Sequence, residues 1–378
     1  MKTIVINALS ALRGGGQTYI LNFIQHSPKN YKIVLLVSKL NVDCFINYES
    51  DLVEIHVLKQ ASKSIIHRTL WELFFLPRYL KDKCADVYYS PGGIMLSVIP
   101  KEVCSVTALR NMLPFDVNER KRFSLLSYSR FKLWLLKYIF LISYKKCDKV
   151  VFISHYSRDV VKGYMPEIMK KSTVIPHGLN ELFFNRVESN GLPSGLVENG
   201  YYLYVSILDV YKAQKEVLKA WDILVRNGFK YPLILVGPKY NDYGDQVLSL
   251  ISELNLEKHV IYLGHIDYDE LPKLYQSARS LVFASSCECC PNILLEKLSS
   301  ARPILCSNIQ PMPEFGKESV IYFDPYEPTS LALAITDMEK KPLLMKELGE
   351  RAYKQSLSFQ WSKTVNDTTK FFFSDGKN

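Results

Sequence analysis

Two carboxylates eight positions apart, Glu288 and Glu296, stand in the segment SSCECCPNILLEKLSS at 285–300. The residues just ahead, ARSLVFA at 278–284, read as a buried strand, and those after Pro291 as a helix. Proline suits the first turn of that helix, where its missing N–H would have no partner anyway. Glu288 is therefore expected in the loop at the strand's carboxyl end, with Glu296 about one and a half turns into the helix. Both side chains would face one crevice, with the N–H groups of Cys290, Asn292 and Ile293 free between them. Carboxylates accept hydrogen bonds from sugar and ribose hydroxyls, and amides at a helix N-terminus favour phosphate. A nucleotide-sugar site needs that layout. Two glutamates at one spacing are common in any protein, so the pair draws its meaning from its setting.

The setting supplies further chemistry. Lys212 follows the strand-like YVS by a short loop and precedes the helical EVLKAWDIL at 216–224. A cation there can reach a diphosphate and offset the charge that develops on a departing nucleoside diphosphate. Gly14, Gly15 and Gly16 end the first strand and open a helix, where glycine permits positive φ and close approach of a ligand. They do not form the G-x-G-x-x-G fingerprint of a dinucleotide site, and a plain tight turn is the simpler reading. In TALRNMLPFD at 107–116, Asn111 can donate to and accept from sugar hydroxyls, and Arg110 can meet a phosphate. His177, between Pro176 and Gly178, reads as a structural or hinge residue at a turn. Cys287, Cys289 and Cys290 lack a second pair of Cys or His ligands, so they are taken as small residues lining a tight loop, with no metal expected.

Short β-branched runs alternate with helical stretches along the chain, which argues for parallel sheets covered by helices. Strands are expected near Thr3–Asn7, Ile33–Val37, Val53–Val57, Val87–Tyr89, Ser105–Ala108, Val150–Ile153 and Thr173–Ile175. The pattern restarts at 201–206 and continues at 233–237, 260–264, 281–284, 304–306 and 320–323. A helix is expected from Gln17 to about Gln25, and Ser154 sits where the N-cap of another belongs. Residues 178–200, rich in Gly, Asn and Ser, read as a linker. The fold class is thus α/β, with two doubly wound, Rossmann-like domains facing a central cleft, and such sheets bind ligands at strand carboxyl ends.

GGGQTYI (14–20), VVFISHYSRD (150–159), VIPHGL (174–179), YVSILDVYKAQKEVLKAWDIL (204–224), LILVG (233–237), VIYLGHI (260–266) and the Glu pair together resemble glycosyltransferase family 4. That family comprises retaining sugar transferases of the GT-B fold. The wording YVSxxDVYK and CPNILLE is similar to the mannosyltransferase-B-like branch, which extends bacterial O-polysaccharides. The resemblance implies an acceptor-binding domain over 1–180, a donor-binding domain over 181–360 and a C-terminal helix, 361–378, crossing back onto the first domain. It implies that Glu288 orients the donor sugar, that Glu296 holds the ribose, and that Lys212 and the turn at Cys289, Cys290, Asn292 and Ile293 stabilise the diphosphate. Gly264, His265 and Ile266 would seat the base, Ser206 would join the donor site, and the glycine loop with Arg110 would line the phosphate and acceptor side. Asn111 stands near the usual donor-sugar histidine, and Ile207 where an arginine usually partners the lysine; neither usual residue is present. The implied reaction moves a hexose, with mannose from GDP-mannose favoured, to a hydroxyl of a growing lipid-linked surface glycan such as O-antigen. It requires a nucleoside diphosphate sugar as substrate and no cofactor. A sugar-nucleotide 2-epimerase of the same architecture and a partner subunit that has lost transfer are the alternatives.

The 378 residues suffice for two domains, and 48% hydrophobic with 22% charged residues is the balance of a folded soluble protein. The eight cysteines lie mostly in apolar contexts and fit reduced thiols of a cytoplasmic protein. No apolar run reaches the ~18 residues of a membrane span. Net charge is +9, and nine bases against three acids between Asp116 and Lys149 leave +6 in that stretch alone. Phe123, Tyr128, Phe131, Trp134, Tyr138 and Phe140 are interleaved there. Such a stretch can lie on an anionic bilayer, which would make the chain peripheral on the inner face of the plasma membrane. It can equally be two helices with an apolar core face and a solvated basic one. No nucleic-acid motif accompanies it.

Overall fold

The computed structural model describes residues 1–12, 14–187 and 191–374. Residues 188–190 of the expected linker and 375–378 of the expected C-terminal segment lie outside that range. The described chain divides into two units, Met1–Gly178 with Trp361–Asn378, and Leu179–Gln360.

The first unit runs β1 (Lys2–Asn7), α1 (Gly15–His26), β2 (Tyr31–Val37), β3 (Val53–Val57), α2 (Ile65–Phe74), α3 (Leu76–Asp82), β4 (Val87–Ser90) and β5 (Cys104–Leu109). It continues with α4 (Val117–Lys121), α5 (Tyr128–Lys146), β6 (Lys149–Phe152), α6 (His155–Lys162) and β7 (Ser172–Val174). The second unit holds β8 (Tyr202–Val205), α7 (Gln214–Arg226), β9 (Leu233–Val236), α8 (Asp242–Glu253), β10 (Val260–Gly264), α9 (Leu271–Ser277) and β11 (Ser280–Phe283). It ends with α10 (Asn292–Ser299), β12 (Ile304–Ser307), α11 (Met312–Gly316), β13 (Ile321–Phe323), α12 (Pro328–Glu339) and α13 (Pro342–Ser356). The final helix, α14 (Trp361–Phe373), belongs to the first unit.

Both sheets are parallel, in the orders β3-β2-β1-β4-β5-β6-β7 and β10-β9-β8-β11-β12-β13. Central strands such as IVIN, YLYV and SLVF are buried along almost their whole length, as sheets with helices on both faces require. In each sheet the order reverses beside the first strand of the unit, and the loops at that reversal are where such folds hold ligands.

Local signals explain the helix ends. Ser154 caps α6 by accepting from the Ser157 N–H at 3.2 Å, as its position in the sequence implied. Helix α14 packs on α1: Phe372 sits 6.1 Å from the Phe23 ring and 4.9 Å from Tyr89. The Lys149 ammonium donates to the carbonyls of Phe371 and Phe372 at 2.7 and 3.1 Å, placing a cation at the negative end of that helix. The expected linker is shorter than its composition suggests. The Leu179 N–H donates to Phe359, and Phe183 is buried against Tyr268 and Tyr275, so this stretch is already part of the second unit.

Candidate functional site

Lys212 is held by its backbone before its side chain is considered. Past the end of β8 the Asp209 carboxylate accepts from the Val210 N–H at 2.7 Å and starts a short 3₁₀ turn, Val210–Lys212. The Tyr204 hydroxyl donates to the Lys212 carbonyl, and the Gln214 side chain donates to the Ile207 carbonyl at 2.8 Å. Ala213, between the turn and α7, has φ of 54°, a left-handed conformation that costs about 1–2 kcal/mol for a residue with a Cβ. Strain of this kind collects at ligand sites. On the neighbouring strand, Gly237 has φ of 138°, and a Cβ there would lie 2.0 Å from the Ser206 carbonyl oxygen. Glycine is thus required for the ends of β8 and β9 to approach so closely.

The loop between β11 and α10 is fastened to this turn. The Ser286 N–H and hydroxyl both donate to the Tyr211 carbonyl, at 2.8 and 3.2 Å. That brings Glu288 to Lys212: the Lys212 ammonium donates to Glu288 Oε1, which also accepts from the Ser285 hydroxyl at 2.8 Å. The lysine is buried, its Nζ 4.6 Å from the Tyr211 ring centre, while the glutamate keeps some exposure. Just past the end of β8, the Ser206 hydroxyl is buried with no hydrogen-bond partner. Cys287, Cys289 and Cys290 are buried in the loop, and none of the eight cysteines is in a disulfide. Among the described residues no three His, Cys, Asp or Glu side chains gather as metal ligands.

Glu296, on α10, accepts from the hydroxyls of Tyr268 and Tyr275, each at 3.3 Å. Burial pushes its carboxyl up, opposed by the adjacent Lys297 and the two tyrosines. Lys297 is wholly buried, its Nζ 5.2, 5.5 and 5.8 Å from the rings of Tyr275, Phe283 and Tyr204. Its hydrogen bond runs to the Val205 carbonyl at 3.3 Å, at the end of β8. Burial draws this ammonium down, Glu296 supports its charge, and Lys212 opposes it. Tyr204 therefore touches both halves of the site, with its hydroxyl on the Lys212 turn and its ring beneath Lys297.

Lys297 is the residue that sequence reasoning passed over. One position beyond a glutamate on a helix, a lysine looks like a solvated charge, and only its run of apolar neighbours hinted at burial. The start of α10 also differs from expectation. Pro291 is the N-cap rather than a first-turn residue, and the Asn292 N–H is not free but donates to the Cys290 carbonyl at 2.9 Å. The loop closes on itself there, because the tight turn through the buried cysteines brings that carbonyl within reach.

At the other strand ends of the same unit, Gly264 has φ of 71° and accepts from the Gly237 N–H at 2.7 Å. His265 is exposed and Ile266 half-buried. The remaining expected residues belong to the first unit. Gly14, with φ of 58°, caps α1, with open space where a side chain would stand; Gly15 and Gly16 form its first turn. The Asn111 side-chain oxygen accepts from the Leu113 N–H at 3.1 Å. Arg110 turns into the protein, its guanidinium 3.2 Å over the Tyr19 ring and donating to the Tyr89 hydroxyl at 3.0 Å. Its other terminal nitrogen lies 3.3 Å from His177, whose ring stacks on Trp361 of α14. His177 is thus a packing residue.

This arrangement, a buried cation beside a carboxylate at the carboxyl end of a parallel sheet, suits an anionic, hydroxyl-bearing ligand. The family model for glycosyl transferases group 1 matches residues 194–355, and that for glycosyltransferase family 4 matches residues 13–181. The chain thus carries a glycosyltransferase family 4 domain followed by a glycosyl transferases group 1 domain. It is 29% identical to O-antigen chain mannosyltransferase B of Escherichia coli over 175 residues, which are 46% of this chain and 45% of that protein. It is 24% identical to the O-antigen chain mannosyltransferase RfbU of Salmonella typhimurium over 207 residues, 54% of this chain and 55% of the other. The chain spans about half the length of these curated relatives. The fold matches that of HepE from Anabaena, solved with UDP and glucose, with a TM-score of 0.73, 16% identity and 98% of each chain covered.

Proposed function

We propose that this chain transfers a hexose, in the first instance mannose from GDP-mannose, to a hydroxyl of a growing lipid-linked glycan, with retention of anomeric configuration. The ion pair of Lys212 with Glu288 carries the reading. It sets a cation suited to a diphosphate against a carboxylate suited to sugar hydroxyls, and the strand leading to Lys212 ends in an unpartnered buried hydroxyl, Ser206. The two O-antigen mannosyltransferase relatives support the choice of sugar and acceptor class.

In this reading Lys212 leaves Glu288 for the donor diphosphate, and Glu288 turns to the hexose. Glu296 accepts from the ribose hydroxyls, and the backbone at Gly264, His265 and Ile266 takes the base. The C1–O bond to the diphosphate breaks while the acceptor oxygen bonds to C1 on the same face. The acceptor's proton passes to the departing phosphate oxygen. Lys212 and the turn at Cys289–Ile293 offset the charge on the leaving group, so the reading includes neither a metal nor a cofactor. The glycine loop at Gly14–Gly16 belongs to the acceptor and phosphate side, and Asn111 offers hydrogen bonds to sugar hydroxyls.

Ile207 and Asn111, standing where an arginine and a histidine are usual, favour a second reading: a subunit that binds donor without transferring it. Purified chain incubated with labelled GDP-mannose and a synthetic lipid-linked mannoside distinguishes the two, with thermal shifts against GDP-, UDP-, ADP- and dTDP-sugars run beside it. Labelled glycan with a retained anomer supports transfer. Donor binding without product supports the second reading, and an epimerised donor would refute both.

A further inference from the structure

Helix α5 is apolar on both sides. Phe140 and Tyr144 lie on the buried side with Lys137 and Ser143, and Tyr128, Phe131, Leu135, Tyr138 and Ile142, spaced three and four apart along one helix stripe, all face solvent. Lys137 is accommodated by the rings of Tyr138 and Tyr164, at 4.9 and 4.6 Å. The turn leading into the helix exposes Leu125 at 75% and Leu126 at 98%. A helix that packs only against its own domain would carry polar residues along its outward stripe.

We propose that this stripe and the basic hollow beside it seat the chain on the surface of an anionic phospholipid bilayer. The hollow, about 290 Å³, lies between α4 and α5, with Arg120, Lys121 and Arg130 around Leu125, Phe131 and Trp134. No acidic residue lines it. The two acids nearby in the chain are committed elsewhere: Asp116 caps α4 by accepting from the Glu119 N–H at 2.9 Å, and buried Glu119 pairs with Arg122 at 3.1 Å. Helix α5 itself contains no acid and adds Lys132, Lys145 and Lys146. Cations at the level of lipid phosphates, with leucine and aromatic side chains among the glycerol and upper acyl carbons, match this arrangement. Among the described residues no helix is long and apolar enough to cross a membrane, so α5 would lie in the surface. A second copy of the chain fits less well, since a two-fold contact would set one basic hollow against another.

The inference does not depend on donor chemistry, and its test uses none. The chain is floated with vesicles of phosphatidylglycerol in phosphatidylcholine and with phosphatidylcholine alone. The chain should rise with the anionic vesicles only, and less so in about 0.5 M salt. The double variant Leu125→Asp/Leu126→Asp and the triple variant Lys121→Ser/Arg130→Ser/Lys132→Ser should each bind roughly tenfold more weakly or worse. Leu343→Asp, on the exposed face of α13, should bind as the unaltered chain does. Circular dichroism would confirm that each variant is folded. Failure to float with anionic vesicles, or flotation indifferent to the leucine pair, overturns the proposal. Self-association without lipid that Leu126→Asp abolishes would assign the stripe to a second copy instead.

Discussion

The two units have the same kind of parallel sheet, yet they use the charged residues at their strand ends in opposite ways. In the first, Arg110 is enclosed by Tyr19, Tyr89 and His177, and His177 leans on Trp361. The cation there binds α1, β4, β5 and α14 into one body. In the second, Lys212 meets a carboxylate that is still partly exposed, next to a residue in left-handed conformation, and the strand leading to it ends in a buried hydroxyl with no partner. Arg110 keeps a buried Nε without a hydrogen-bond partner, yet its terminal nitrogens are spent on Tyr89 and His177 inside the protein, whereas Lys212 meets an acid that still reaches solvent. The proposed reading gives donor chemistry to the second unit, and the enclosure of Arg110 makes a structural task for it the expectation to test.

Substitutions can break this contrast. The largest effect is expected from Glu288→Ala, which should lower kcat by roughly 10²–10³-fold while the thermal midpoint stays nearly unchanged. A collapsed midpoint would make Glu288 a structural residue and erase the difference between the units. Lys212→Ala should weaken binding of a nucleoside diphosphate by roughly tenfold to a hundredfold in calorimetric titration, and unchanged affinity would remove it from the site. Arg110→Met should do the reverse. It should cost about 2–3 kcal/mol of stability in denaturant unfolding and leave nucleotide affinity within about twofold. A large loss of affinity at constant stability would move Arg110 into the binding machinery.

The buried pair on α10 offers a finer test through pH. Burial raises the Glu296 carboxyl to about 7, and Lys297 holds it lower than burial alone would. A carboxylate that must accept from ribose hydroxyls loses that capacity on protonation, so donor affinity should fall as pH drops through about 7. Lys297→Met removes the charge that favours the ionised form, so the fall should begin at a higher pH. Identical pH profiles for the two proteins would detach Lys297 from Glu296. Ser206→Ala should be the mildest change, with a loss of donor affinity of about twofold to fivefold and no loss of stability, because its hydroxyl has no partner to forfeit.

Much of the fold was legible in the sequence because parallel strands buried on both faces appear as short β-branched runs whatever surrounds them. The strands expected near 33–37, 53–57 and 260–264 differ from β2, β3 and β10 by two residues at most. The loop and helix carrying the Glu pair were legible for the same reason, since a strand and a proline bracket them. The partners of Arg110 were not, because Tyr19, Tyr89, His177 and Trp361 converge from four distant places in the chain. Lys297 was hidden by the rule that lysines face water, which its three surrounding rings override. The outward stripe of α5 was ambiguous in principle: when a helix is apolar on both sides, periodicity does not reveal which side packs.

The account rests on Lys212 and Glu288 parting to receive a donor. A crystal structure of the chain with an unhydrolysable nucleoside diphosphate hexose tests this directly. The prediction is a Lys212 ammonium on the diphosphate and a Glu288 carboxylate on the sugar hydroxyls, with the ion pair between them opened. A nucleotide bound elsewhere, with that pair intact, would contradict it.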